Sequence, residues 1–339
     1  MADPVPPPAV PVATGGAPPL DLTTIEPVRD ALLRWFAANG RDLPWRATRD
    51  PYAILVSEVM LQQIQVKRAI PFYEAFLARF PTIAALAAAP LADVIRTWGD
   101  LGRYRRAVNL HRTARQIVTG HGGVIPSDVA ALRRLPGVGP YTAGAVACFA
   151  FEQDAAFLDT NMRRVLHRVF AGVDVPRPTV GERELRRLAG AVLPPGEGWA
   201  WNQGLMDLGA LVCRARKPAC ENCPVRASCR AYPAVQTVLA DLPRPARRQT
   251  PLPDGAHRVY RGRVLAALRA LPADDPAASL DLPVLGATVR EGFAEDDLPW
   301  LRGVVASLTK DGLAIAEEAP SYDAGSEGAR GDVVRVRLP

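Results

Sequence analysis

The 339-residue chain is 48% hydrophobic and 22% charged, the balance of an ordinary globular protein with room for two or three compact units. No apolar run approaches the roughly 20 residues needed to cross a bilayer. Met1–Pro19 is rich in Pro, Ala and Gly and lacks both a basic leader and a continuous apolar segment, so residues 1–20 are expected to be a disordered tail on a cytoplasmic protein. Periodicity starts near Ile25, where Val28, Leu32, Leu33, Trp35 and Phe36 fall at helical spacings and Asn39-Gly40 closes the segment. Ile54 to Phe80 reads as one or two helices divided near Pro71. Further helices are expected at Leu91–Trp98, Tyr104–Thr119, Ser127–Arg134, Tyr141–Phe151, Thr160–Phe170, Val180–Leu193 and Trp201–Val212, with Ser127 placed to cap its own. The first 230 residues should therefore be all-α.

Pro233–His257 holds five prolines and the basic cluster Arg244, Arg247, Arg248, which reads as a linker that can lie along a phosphate backbone. Beyond it, helices at Tyr260–Leu271, Val284–Arg290 and Leu298–Asp311 lead to strands at Leu313–Glu317 and Val333–Leu338. Three helices followed by a hairpin resemble a winged helix. The net charge of +6 is unevenly divided: Val264–Pro339 carries 7 basic and 13 acidic residues, so the preceding residues carry 34 and 22. A basic body of this kind suits a polyanionic partner. The acidic C-terminal segment suits a structural or partner-binding role better than contact with DNA.

Cys213, Cys220, Cys223 and Cys229 form C-x6-C-x2-C-x5-C within 17 residues. Four thiolates on so short a loop can surround one metal centre. Zinc sites normally use two short C-x2-C pairs and only one is present, while disulfides need an oxidising compartment to which nothing here points. Cys148, among Ala145, Val146, Ala147 and Phe149, reads as a core residue. Leu135-Pro136-Gly137-Val138-Gly139-Pro140-Tyr141 joins two helices. Gly137 and Gly139 would let backbone N–H groups approach an anion at the positive end of the following helix. Glu58 sits in the otherwise apolar Ser57-Glu58-Val59-Met60-Leu61-Gln62-Gln63, where it is either an exposed helical carboxylate or a costly buried one. Asp159, before Thr160-Asn161-Met162, suits a helix N-cap as well as a catalytic place.

Leu43-Pro44-Trp45-Arg46, Ser57–Gln63, Leu135–Tyr141, Asp159-Thr160-Asn161 and the cysteine loop follow one another as in adenine DNA glycosylases of the endonuclease III superfamily, and the resemblance covers about Ile25 to Tyr232. It implies a mostly α, helix-hairpin-helix DNA glycosylase fold: a six-helix barrel plus an iron–sulfur helical domain over residues 21–232. A linker at 233–257 and a small C-terminal α/β, winged-helix-like domain at 258–339 follow. It implies a [4Fe–4S] cluster on the four cysteines and a monomer acting on double-stranded DNA with a mispaired base, away from membranes. The cluster would hold a loop bearing Arg214, Arg216, Lys217 and Arg226 against phosphates.

By the same resemblance Glu58 protonates adenine at N7 and later helps activate water, while Asp159 stabilises the cationic sugar or bonds to it transiently. Such paired carboxylates are the logic of glycoside hydrolysis, applied to a base rotated out of the stack. Asn161 would hold Asp159, Tyr141 would hydrogen-bond at the same centre, Gln203 would read the adenine edge, and Arg41 and Trp45 would line the pocket. Gln203 and the paired Gln62-Gln63 favour adenine over a thymine or uracil mismatch glycosylase on the same scaffold. Tyr141 stands where related lyases carry a Schiff-base lysine, which implies a monofunctional enzyme.

The chain departs from the family pattern in having Ile64 after the glutamines and Asp100-Leu101-Gly102-Arg103-Tyr104 where two tyrosines are usual. These places face the base opposite the target, and Gln63, Leu101 and Arg103 remain able to wedge into a duplex. The segment after Arg258 does not resemble the family's usual Nudix-like domain. An iron–sulfur DNA-binding regulator would account for the cysteines and the charge but not for Glu58 and Asp159.

Overall fold

The structure, a computed structural model, describes residues 22–243, 257–275, 277–321 and 330–339. The expected tail and the Arg244, Arg247, Arg248 cluster lie outside the described residues. In chain order the elements are α1 (Leu22–Asn39), α2 (Pro51–Met60), α3 (Val66–Arg79), α4 (Ile83–Ala88), α5 (Leu91–Trp98), α6 (Arg105–His121), α7 (Val129–Leu132) and α8 (Pro140–Phe151). There follow α9 (Thr160–Leu166), α10 (Glu182–Ala191), α11 (Gly198–Leu211), α12 (Ala234–Asp241), α13 (His257–Arg269), β1 (Leu280–Asp281), α14 (Leu282–Val289), α15 (Leu298–Lys310), β2 (Ile315–Ser321) and β3 (Arg330–Arg337). Among the described residues no helix is long and apolar enough to cross a membrane. The chain divides into two compact units, neither of them continuous: one takes the described residues of 43–151 and 245–339, the other those of 1–42 and 152–244.

In the first unit, α2 starts sharply because Asp50 accepts the N–H groups of Tyr52 and Ala53 and Pro51 fills the first helical position. All its residues from Tyr52 to Met60 are buried, which is why its sequence lacks a polar face; it packs on α3, α6 and α8. The expected division near Pro71 falls instead at Leu61–Gln65, and Pro71 lies inside α3. The cap of α7 is Asp128, which accepts the Ala131 N–H at 2.7 Å, rather than the expected Ser127. The short α4 was not expected from the sequence.

The C-terminal part of this unit is an antiparallel sheet of order β1-β3-β2 with α13, α14 and α15, the three helices and two strands expected there with the two-residue β1 added. Ala316 faces Val336 and Leu280 faces the same Val336 from the other side. Its core is not separate. Ile95 of α5 and Val108 of α6 belong to the same buried cluster as Val264, Leu268, Leu301 and Leu308. The chain end is tied in as well, since Ala92 donates its N–H to the Pro339 carbonyl at 2.9 Å.

In the second unit α11 packs against α1 and α9, and α10 against α9. Gly209 allows the α9–α11 approach: a Cβ there would lie 2.6 Å from Cβ of Asn161. Residues 234–241 are helical, with Val235 buried, so the segment expected to be a linker from residue 233 begins as structure.

Leu308 is fully buried in the cluster that includes Ile95 and Val108. Leu308→Ala is therefore expected to cost about 2–5 kcal/mol in urea unfolding. Amide hydrogen exchange should rise in α5 and α6 as well as in α15; a rise confined to α13–α15 would show two independent cores.

Candidate functional site

The expected site residues are shared between the two units. In the first, Glu58 is 3% exposed, which removes the exposed-carboxylate reading: burial of a charge-bearing group is costly and is kept where it is needed. Trp45 is buried with its ring edge-on to Tyr73, centroids 5.3 Å apart. Burial, helped by Asp50, raises the Tyr73 hydroxyl to about 12, so it stays protonated. Tyr141 is half-buried at the start of α8, and Gln62 reaches the neighbouring Thr142, its Nε2 3.4 Å from Oγ1.

The hairpin Leu135–Tyr141 is anchored on its inner side. Leu135 and Val138 are buried, the Val138 N–H donates to the Leu135 carbonyl at 3.1 Å, and Thr113 of α6 donates to the Pro136 carbonyl at 2.7 Å. Gly137 is required twice over, by a φ of +75° and by Asn109, whose Cβ would lie 2.8 Å from any Cβ added there. Gly139 is different. Its φ is not positive and a Cβ would meet nothing within 4 Å, so the space over its backbone is open at the start of α8.

The turn after α2 and the loop before α6 are joined by Arg106, a residue the sequence reading passed over. Its Nη1 donates to the carbonyls of Val59, Met60 and Gln62 at 2.9, 2.8 and 2.9 Å, and its Nη2 to Gly102 at 3.2 Å. It thus takes up C-terminal carbonyls of α2 that would otherwise lack donor partners. Burial, with Arg103 nearby, lowers its guanidinium to about 10, still charged at neutral pH. Gln63 and Arg103 are exposed, and both hold left-handed backbone, with φ of 60° and 52°. Leu101 is 2% exposed. Its side chain packs inward, and of the three residues expected to wedge into a duplex Gln63 and Arg103 face solvent.

In the second unit Asp159 is the N-cap of α9, accepting the Met162 N–H at 2.6 Å. Burial pushes its carboxyl up from the usual carboxylate range, against the opposing pull of N–H donors from Met162 and Asn161 and of Arg164. Asn161 is also the acceptor for Arg164 at 2.8 Å, and Arg164 donates to the carbonyls of Gly209 and Cys213, both at 2.7 Å. A continuous polar chain therefore runs from Asp159 to the first cysteine. Arg41 is locked to the fully buried Asp207 through its backbone N–H at 2.9 Å and its guanidinium at 2.8 and 2.6 Å. Gln203, on the same helix as Asp207, is 4% exposed.

All five cysteines are free, and Cys148 is in the core as expected. The other four line one cavity with Val165, Val169, Leu208 and Val225, while no three His, Cys, Asp or Glu among the described residues are grouped to hold a single metal ion. The donor set suits a soft metal group: four thiols line the cavity among largely apolar walls. The buried Arg168 points Nη1 at Cys213 Sγ, 3.8 Å away, and binds the carbonyls of Arg214 and Ala215, both at 2.9 Å, supplying positive charge beside the thiols. Arg214, Arg216 and Lys217 are exposed on the loop, whereas Arg226 is paired with Glu221. Arg168, next to His167, interrupts an otherwise apolar run from Val165 to Phe170, and that break in the pattern is the signal by which it could have been found.

Residues 56–190 match the model of the HhH-GPD superfamily base excision DNA repair proteins. The chain is 40% identical to the adenine DNA glycosylase of Mycolicibacterium smegmatis over 87% of its length and 97% of the relative's. It is 41% identical to that of Homo sapiens over 64% of this chain and 41% of the human one. Among solved structures it is similar to a thermostable thymine-DNA glycosylase (TM-score 0.58, 31% identity, 63% of this chain and 97% of that one). An endonuclease III–DNA complex shares the fold (TM-score 0.53, 23% identity, 61% and 95%).

Asp159→Asn should separate capping from charge. Asparagine caps as well as aspartate, so the variant keeps α9 and loses only the desolvated carboxylate. A carboxyl raised in the folded state favours folding below its unfolded value and weakens it as pH rises. The variant is therefore expected to be at least as stable as the natural protein at pH 7, with the difference closing as pH falls toward 3. Thermal unfolding across that range tests this; a variant destabilised at pH 7 would contradict it.

Proposed function

The chain belongs to the adenine DNA glycosylases of the HhH-GPD base excision DNA repair superfamily, and from that premise we infer that it hydrolyses the N-glycosidic bond of adenine mispaired with 8-oxoguanine or guanine, leaving an abasic site. The observation that carries the reading is the buried Glu58 in an apolar helix. A carboxyl held out of water is suited to keep a proton and deliver it to a leaving base. Asp159 supplies the opposite need, a fixed negative charge beside a developing oxocarbenium ion. Asn161 and the Met162 N–H orient it. Tyr141 cannot form a Schiff base, which supports base removal without strand cleavage. Gln203, buried one turn along α11 from the Asp207 that anchors Arg41, offers the paired donor and acceptor that suit an adenine edge. The open backbone at Gly139 suits a phosphate, as a contact that positions the duplex without reading it. The enzyme acts as a cytoplasmic monomer in this reading.

Cys213, Cys220, Cys223 and Cys229 would hold a [4Fe–4S] cluster, with Arg168 offsetting its charge. The cluster's contribution is structural: bound, it ties the loop carrying Arg214, Arg216 and Lys217 to α9 and α11. The protein as isolated is expected to contain about four iron and four acid-labile sulfide per chain, falling in Cys220→Ala; stoichiometric zinc without sulfide would overturn the assignment.

Single-turnover reactions on duplexes with A opposite 8-oxoguanine, A opposite G, T opposite G and U opposite G test the function. Adenine release is expected, with no adduct trapped by borohydride. Glu58→Gln and Asp159→Asn should each lose at least about 100-fold in rate. Faster thymine or uracil release would move the assignment to the pyrimidine branch that the thymine-DNA glycosylase represents.

A further inference from the structure

The C-terminal domain is acidic in total, yet the face it turns toward the loop before α6 is not. A cleft within the first unit is lined by Gln62, Gln63, Arg103 and Arg105 on one side and by Arg258, Arg261 and Asp311 on the other. Buried Arg106 adds to the same wall, so five arginines oppose one carboxylate. Asp311 is already engaged, at 2.6 Å by Arg261 and at 3.6 Å by Arg105. Arg258 is exposed at the mouth.

The cleft is also held rigid. Trp98 and Arg106 both bind the Gly102 carbonyl, at 2.9 and 3.2 Å. From the other wall, Arg269 of α13 reaches Asp100 at 2.5 Å and stands over the Tyr104 ring, 5.6 Å from its centre. Gln63 and Arg103, the two residues in left-handed backbone, both line it. Strained backbone persists where surrounding structure enforces it, and such places cluster at functional sites.

We propose that this cleft is a DNA-backbone site, in which Arg258 and Arg261 of the winged-helix-like domain hold phosphates of the duplex beside the exposed Gln63 and Arg103. The proposal rests on the reading of the protein as a DNA glycosylase and extends its footprint to a domain whose total charge argues against DNA. A duplex is the fitting occupant because its phosphates repeat at regular spacing along a groove lined by several arginines, whereas a lone anion needs one point. Arg261 is positioned by Ser307 at 2.6 Å as well as by Asp311, a fixed donor rather than a roaming one.

The test is equilibrium binding of the full chain to a fully matched duplex across a salt series, which needs no base removal. Each lost phosphate contact should flatten the plot of log affinity against log salt by about 0.9. Arg258→Gln is expected to lose about one such step and Arg258→Gln with Arg261→Gln about two. Arg302→Gln, exposed and outside the cleft, should lose none. Circular dichroism and unfolding keep folding defects apart from these results. A slope unchanged in both cleft variants, or weaker affinity at an unchanged slope, would overturn the proposal. Adenine release that fails while the slopes change would instead count against the enzymatic reading and leave the cleft standing.

Discussion

One guanidinium sets the working surface of the first unit. Arg106 accepts no hydrogen bonds and needs several acceptors once buried; it finds them in the last carbonyls of α2, in Gln62 and in Gly102. An arginine fork can bridge two strands of backbone in this way where a lysine point charge could not. The consequences spread outward. α2 ends where its carbonyls turn to Arg106, Gln63 is thrown into left-handed backbone just beyond, and Arg103 is held in the same strained region by the loop that shares the guanidinium. The ring of Trp98 under that guanidinium, 5.4 Å from it, adds a cation–π contact. Two exposed polar side chains, Gln63 and Arg103, are thereby presented on backbone fixed by buried contacts.

The second unit solves a similar problem along a longer chain of contacts. Asp159 is a helix cap, and in the proposed reading the cap is also the functional group. Asn161, Arg164 and the carbonyl of Cys213 continue the network from the cap to the cysteine cavity. Gly209 lets α9 and α11 approach closely enough for it. The cysteine loop is consequently more than a surface attachment: its first residue shares an arginine with the residue that steadies Asp159. Arg168 completes the link by binding two loop carbonyls and facing a thiol. Buried cations at both places bind backbone oxygen, Arg168 with the Asp174 carboxylate at 2.7 Å as well, which keeps their desolvation tolerable.

Much of this was legible in the residues, and the exceptions have physical reasons. Leu91–Trp98 came out to the residue because its apolar stripe is strong, whereas α4, six residues of Ile, Leu and Ala, is too short and too uniform to show a period. Pro71 suggested a helix break because proline removes a backbone donor, but the true break depends on Arg106, more than forty positions away in sequence. Leu101 read as exposed because a loop leucine has no pattern to place it, and the fold turns it inward. Glu58 was ambiguous between surface and interior for the same reason, since a single helix does not reveal which of its faces will be covered. The division into units was beyond pattern reading altogether, because each is assembled from two separated stretches.

Charge totals and charge placement say different things about the C-terminal part. Thirteen acidic residues against seven basic ones describe the last part of the chain as a sum, but a ligand meets a face, not a sum. Several of those carboxylates are engaged with neighbouring arginines, Asp281 with Arg335, Asp297 with Arg290 and Glu317 with Arg337, and none of these pairs lines the cleft. What lies at the cleft is α13, which opens with His257 and Arg258 before the acidic stretch begins. Because α13 shares its apolar core with α5 and α6, its arginines are fixed relative to Arg103 and Gln63 rather than tethered to them. A domain whose net charge should repel a polyanion can then contribute to binding one: screening beyond roughly 10 Å in ordinary salt mutes the distant carboxylates, while the arginines in contact are not muted.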